Sequence, residues 1–194
     1  SSDLAVGLEV APLAEGAMLA FLHADEGFTD PKQSVRSAWF DGSAFSSSIE
    51  VVPATGGFRK MTIAGRAGLD TVVLATVTDT GVASAITGSS QAWGPANALV
   101  SGSASTIAAT VSEAEIPAVL VASGDDTGLS LFVPGSGLPW VKLGTLQVDS
   151  DARELALAWL PGGLESARAL VAWSTGAVGD FVKAVWVKPD GALD

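Results

Sequence analysis

The residues able to do acid–base, nucleophilic or metal chemistry are few. The 194-residue chain has one histidine, His23, no cysteine and no tyrosine, against twenty-one Asp and Glu and ten Lys and Arg. A single imidazole rules out a multi-histidine metal site within the chain. Any Ser-His-Asp scheme would rest on His23, which ends an apolar run, and no Gly-x-Ser-x-Gly turn is present to expose a nucleophile. A strand-end hydrogen bond is the expected role of His23. Without cysteine, disulfides, thiolate zinc sites and cysteine nucleophiles are excluded.

Two groups remain. Acidic turns follow several apolar runs: Asp25, Glu26 and Asp30, then Asp79, then Asp125 and Asp126. Calcium takes about six to eight oxygen ligands, so Asp25, Glu26 and Asp30 are the candidate calcium ligands. They lack the alternating Asp-x-Asp-x-Asp-Gly order of a calcium loop, and the competing reading is solvated turn carboxylates; no other cofactor is implied. The second group is aromatic. Six tryptophans in a chain without tyrosine raise carbohydrate binding, because an aromatic face stacks on a sugar ring while a neighbouring acid bonds its hydroxyls. Trp39 lies close to Arg36 and Asp41 near a turn, so these three are the candidate ligand-binding residues. Trp159, Trp173 and Trp186 fall inside strand-like segments and are expected in the core.

The elements that position these residues repeat. Four segments share an apolar run followed by a polar turn: Met18–His23, Val72–Val77, Val119–Ser123 and Leu170–Ser174. Aligned on Ala20, Ala75, Ala122 and Ala172, they are spaced by 55, 47 and 50 residues. A period in that range marks a solenoid or a propeller. Downstream of each run come another strand-like segment and a glycine turn leading to an aromatic, as in Phe40–Phe45, Gly88–Trp93 and Gly135–Trp140; the fourth, Lys188–Asp194, reaches the turn and stops. A further strand and the first strand of the next unit follow.

The predicted fold is therefore all-β, a β-propeller-like array of four four-stranded units whose last unit lacks its outer strand. The units are approximately 1–53, 54–102, 103–150 and 151–194, within a single domain. The continuous runs Val72–Val77 and Ala118–Ala122 are expected to be innermost strands, buried on both faces. The rival reading of the last unit is helical. Asp151-Ala-Arg-Glu154 resembles a capping box that would open a helix over Leu155–Leu160, with a second helix over Leu164–Trp173.

At the glycine–aromatic turns the chain resembles the degenerate Asp-box repeats of the sialidase-like propeller superfamily and its related bacterial lectins. Asp41, Gly42 and Phe45 approximate the box. Gly88 with Trp93, and Gly135 with Trp140, keep the glycine and the aromatic but not the acid; Asp190 and Gly191 keep the acid and the glycine. The resemblance implies that Phe45, Trp93 and Trp140 pack between blade edges and that the turn polar groups bond backbone. It also implies a test for sialidase activity, whose catalysts use a tyrosine nucleophile and an arginine cluster. The absent tyrosine excludes the classical enzyme.

Composition bounds the rest. A net charge of −11 opposes binding to nucleic acid or to an anionic membrane surface. The apolar stretch Leu4–Leu22 is interrupted by Glu9 and Glu15, so no membrane insertion is expected. The chain opens Ser-Ser-Asp, as a processed or excised product would. The expected function is a non-catalytic binding or structural interaction module of an exported or cell-surface protein, located outside the cell, in a periplasm or at the cell surface. A protein partner or self-association is expected, and the missing outer strand of the last blade would come from a partner strand, from a longer parent chain or from the chain's own N-terminal residues. The alternatives are a carbohydrate-binding lectin, whose partner is a glycan, and a glycoside hydrolase of propeller fold with two or three carboxylates facing a central funnel.

Overall fold

A computed structural model describes residues 7–24, 32–123, 128–135, 139–148, 152–160, 169–175 and 181–188. Among these residues the regular structure is strand throughout, in four separate antiparallel sheets. The first sheet holds β1 (Leu8–Pro12), β2 (Ala17–Ala24), β3 (Gln33–Phe40) and β4 (Ile49–Thr55). The second holds β5 (Phe58–Gly65), β6 (Val72–Thr78), β7 (Ala83–Gly88) and β8 (Asn97–Val100). The third holds β9 (Ala104–Val111), β10 (Pro117–Ser123), β11 (Gly128–Pro134) and β12 (Trp140–Gln147). The fourth has three strands among the described residues: β13 (Ala152–Trp159), β14 (Ala169–Thr175) and β15 (Phe181–Val187). Within every sheet the strands lie in chain order, the meander expected of a blade.

The first strands converge: β1 lies against β5, β5 against β9, and β9 against β13. Lys60 on β5 and Glu154 on β13 approach to 3.6 Å, past the intervening β9. The innermost strands are thus the first of each sheet, which corrects the assignment of Val72–Val77 and Ala118–Ala122. Those runs are β6 and β10, second in their sheets, and they are buried because a neighbouring sheet covers each face. Val72, Leu74 and Ile86 pack toward the first sheet, Val73, Ala75 and Ala85 toward the third. Leu120 and Ala118 repeat the pattern against Val171 and Ala169 of the fourth. Full burial of a side chain such as Leu74 contributes about 1.5–3 kcal/mol, so these strands anchor the fold.

The helical alternative for the last unit is overturned where the chain is described, over 152–160 and 169–175; residues 164–168 of the second expected helix lie outside the described residues. Leu155 pairs with Trp173 and Leu157 with Val171 across β13 and β14, and this face packs on the third sheet. A helix would have turned those apolar side chains around its axis and left the third sheet's Leu120, Leu129 and Leu131 uncovered. Trp173 is buried, Trp159 packs against the same core, and Trp186 on β15 is half-buried.

Candidate functional site

The glycine–aromatic turns of the first two sheets are built alike. In the first, Asp41 N–H donates to the Ala44 carbonyl at 3.2 Å, Ser46 N–H to the Trp39 carbonyl at 2.7 Å, and Phe40 bridges Phe45. In the second, Ser89 N–H donates to the Ala92 carbonyl at 2.8 Å, Gly94 N–H to the Thr87 carbonyl at 2.8 Å, and Gly88 bridges Trp93. Asp41 Oδ1 accepts from the backbone N–H groups of Ser43 and Ala44 and from the Ser43 hydroxyl, each at 2.8 Å. Ser89 Oγ takes the same place, accepting from Gln91 and Ala92 N–H at 3.2 and 3.3 Å. The acid missing from the second unit is therefore replaced by a hydroxyl acceptor with the same partners two and three residues on. The Ala44 and Ser43 bonds favour the charged form of Asp41 and hold its carboxyl below the usual aspartate range.

Between the two turns a cleft of about 180 Å³ opens at the junction of the first and second sheets. Its walls are Trp39, Ser46, Ser47 and Ile49 on one side and Ser89, Ser90, Gln91 and Trp93 on the other, with Met18 and Ser37 at its base. Both indoles are fixed by their own N–H groups. Trp39 Nε1 donates to the Glu15 carbonyl at 3.0 Å, and Trp93 Nε1 crosses the sheet junction to Ser37 Oγ at 2.8 Å. Ser46 Oγ is also engaged, accepting from Trp39 N–H at 2.9 Å and donating to the Ser47 carbonyl. The side chains of Ser47, Ser90 and Gln91 make no hydrogen bond among the described residues, which leaves hydroxyls and an amide facing the opening. No wall residue is charged.

The three residues singled out from the sequence are not brought together. Trp39 lines the cleft. Arg36 does not, because alternate side chains of β3 point to opposite faces: Ser37 and Trp39 face the second sheet, whereas Arg36 stands opposite Phe21 and Glu50 on the far face. Asp41 is engaged in its turn. Asp25, Glu26 and Asp30 lie outside the described residues, as do Asp125, Asp126, Asp190 and Gly191. No group of three or more His, Asp or Glu suited to a metal occurs among the described residues. His23 sits half-buried on β2 opposite Ser34.

The expected packing of the turn aromatics holds for two of three. Trp140 is buried between the second and third sheets, and Trp93 packs between the first and second. Phe45 is instead 60% exposed, its ring tilted at 40° against Phe40 with centroids 4.8 Å apart. The reason is position: Trp93 and Trp140 each lean on the preceding sheet, whereas among the described residues no sheet packs on that side of the first. Sequence reading treated Trp93 as packing alone and passed over the serines. The available signal was the alternation along β3, which puts Ser37 on Trp39's side, and the period-matched turn that puts Trp93 opposite.

No protein-family model matches the chain, and no curated protein does. Solved structures do. A fungal lectin from Aleuria aurantia, described as a six-bladed β-propeller with a novel mode of fucose recognition, superposes with a TM-score of 0.60 at 13% identity, over 96% of this chain and 60% of that one. The same lectin bound to a fucose-containing disaccharide gives 0.58 at 13% identity, over 95% and 58%. The fold is a β-propeller. An exo-β-1,3-galactanase from Clostridium thermocellum shares it, with a TM-score of 0.55 at 12% identity, over 98% of this chain and 48% of that one. The chain thus spans less than two thirds of each of these propellers, and its four sheets are four blades. At these identities the likeness is one of fold, and it extends to the propeller rather than to the sialidase-like branch.

Proposed function

We propose that this chain is a carbohydrate-binding propeller module and that the cleft between the first two blades takes one ring of a neutral saccharide. The carrying observation is the cleft itself, in which two indoles fixed by their own N–H bonds stand beside unengaged hydroxyl and amide groups. Its volume of about 180 Å³ lies below the roughly 300–1,000 Å³ of drug-sized pockets, a scale suited to a single sugar ring. Uncharged walls favour a neutral ligand over an acidic sugar, since an unpaired carboxylate would lose its hydration without gaining a cation. The propeller lectins, which share the fold, add support to this alternative over a purely structural interaction module. A glycoside hydrolase needs paired carboxylates about 5–9.5 Å apart around the scissile bond. The cleft walls have none, so the cleft as built binds rather than cleaves. The narrower placement beside the Asp-box propellers rests on Asp41 and Ser89 filling one role in successive turns, and an exported or surface location would suit a glycan ligand.

The test is a glycan array with the purified chain, followed by titration of tryptophan fluorescence with the best neutral sugar. Trp39→Ala should abolish binding, and Trp39→Phe, which keeps a ring, should retain part of it. Saccharide binding that is equal in wild type and Trp39→Ala, or no binding to any glycan, removes the reading.

A further inference from the structure

The Trp93 wall of the cleft is held from outside its own turn. In the first blade Asp41 Oδ1 accepts from two successive backbone N–H groups, those of Ser43 and Ala44, at 2.8 Å. In the second blade the internal acceptor is the Ser89 hydroxyl, and its bonds to Gln91 and Ala92 N–H are longer, 3.2 and 3.3 Å. The N–H before them, that of Ser90, donates at 2.9 Å to Asp70 Oδ1, which belongs to the 66–71 loop between β5 and β6. A carboxylate accepts a stronger hydrogen bond than a neutral hydroxyl does. The acid that the second turn lacks is thus supplied by another loop, and three successive N–H groups of the turn each find an acceptor. That loop has six residues, 66–71, against the four, 13–16, at the same place in the first blade.

The same loop reaches the other wall. Its Leu69 carbonyl accepts from Ala14 N–H at 2.7 Å, one residue before Glu15, whose carbonyl takes the Trp39 indole N–H at 3.0 Å. On its far side Arg66 pairs with Glu113, and Thr71 Oγ1 donates to Glu115 Oε2 at 3.5 Å, both in the turn between β9 and β10. Asp70 is exposed and lines no part of the cleft, yet its partner Ser90 and the adjacent Gln91 are wall residues with unengaged side chains. We propose that Asp70 is the positioning residue of this wall, its carboxylate fixing the Ser90–Gln91 segment so that the Ser90 hydroxyl and the Gln91 amide meet a bound saccharide in one arrangement. This role rests on the saccharide reading of the cleft: groups ordered before binding do not charge the ligand with the entropy of ordering them.

Titration of the full chain with a panel of neutral methyl glycosides, followed by tryptophan fluorescence, is paired with amide proton–nitrogen correlation spectra of the free chain. Asp70→Ala should shift the Ser90 and Gln91 amide signals and lower their protection from solvent exchange. It should also weaken the tightest-binding glycoside about fivefold, the worth of one net hydrogen bond. Asp70→Asn keeps an acceptor oxygen for Ser90 N–H and should restore both readouts. Thr71→Val, which alters the side of the loop facing the third blade, should leave both unchanged. Unmoved Ser90 and Gln91 signals in Asp70→Ala overturn the proposal. So does wild-type affinity in Asp70→Ala, an Asp70→Asn variant as weak as Asp70→Ala, or an equal loss in Thr71→Val. A wild type that binds none of the glycosides removes the saccharide reading instead, and the amide signals then decide alone whether Asp70 orders this wall.

Discussion

Replacing Trp93 by phenylalanine keeps an aromatic ring between the first two blades but replaces the bicyclic indole by a smaller ring, and with it goes the indole N–H that reaches Ser37 Oγ at 2.8 Å. Ser37 is 1% exposed with the indole in place, so in the intact structure its hydroxyl is shielded by the group that bonds it. An unsatisfied buried hydroxyl costs about 1–3 kcal/mol, and Trp93→Phe should lie near the middle of that range. Ser37→Ala strands the indole N–H instead, at about 1 kcal/mol because Trp93 borders an open cleft. The double substitution removes both partners of one bond. It should cost about 1 kcal/mol less than the two single losses together, the coupling expected of directly bonded residues. Urea midpoints followed by far-ultraviolet circular dichroism measure the cycle, and in a chain of this size each kcal/mol should appear as about 2–4 °C in the melting temperature. If the double variant equals the two single losses to within about 0.3 kcal/mol, the bond does not couple the blades and Trp93 is held by packing alone.

Two further outcomes follow from the turns. Asp41→Ala should lower the melting temperature at neutral pH by removing the acceptor for Ser43 and Ala44. Because the folded carboxyl sits below its ordinary value of 3.8, its contribution is present above that value and disappears as the pH falls through the depressed one. Melting curves of wild type and Asp41→Ala should therefore converge in acid, and a gap that persists there contradicts the assignment. Gly16 and Gly42 both have positive φ, +87° and +95°, but a Cβ on Gly16 would sit 1.7 Å from the Phe40 carbonyl oxygen while one on Gly42 meets nothing. Gly42→Ala should cost about 1–2 kcal/mol from backbone strain. Gly16→Ala should cost distinctly more, and equal denaturation midpoints for the two variants would be inconsistent with this turn geometry.

The strand inventory was legible in the chain because it depends on local properties. Apolar runs such as Val72–Val77 favour extended backbone, and Gly, Asp and Ser turns break the chain at a steady period. The same period carried the turn aromatics and the short last unit. What lay beyond it were properties of pairs of sheets. Val72–Val77 reads identically whether innermost or second in its blade, since both positions exclude water; only the convergence of β1, β5, β9 and β13 decides between them. Arg36 and Trp39 are neighbours in sequence yet separated by the thickness of a sheet, because three steps along a strand reverse the side-chain direction. Phe45 and Trp93 occupy equivalent positions in their turns, and their exposure differs because Trp93 packs on a neighbouring blade and Phe45, among the described residues, does not. The sequence by itself determined how often the chain turns and which residues prefer strands. The tertiary structure alone decided what each face meets, since burial depends on neighbours some fifty residues away whose approach no local pattern encodes.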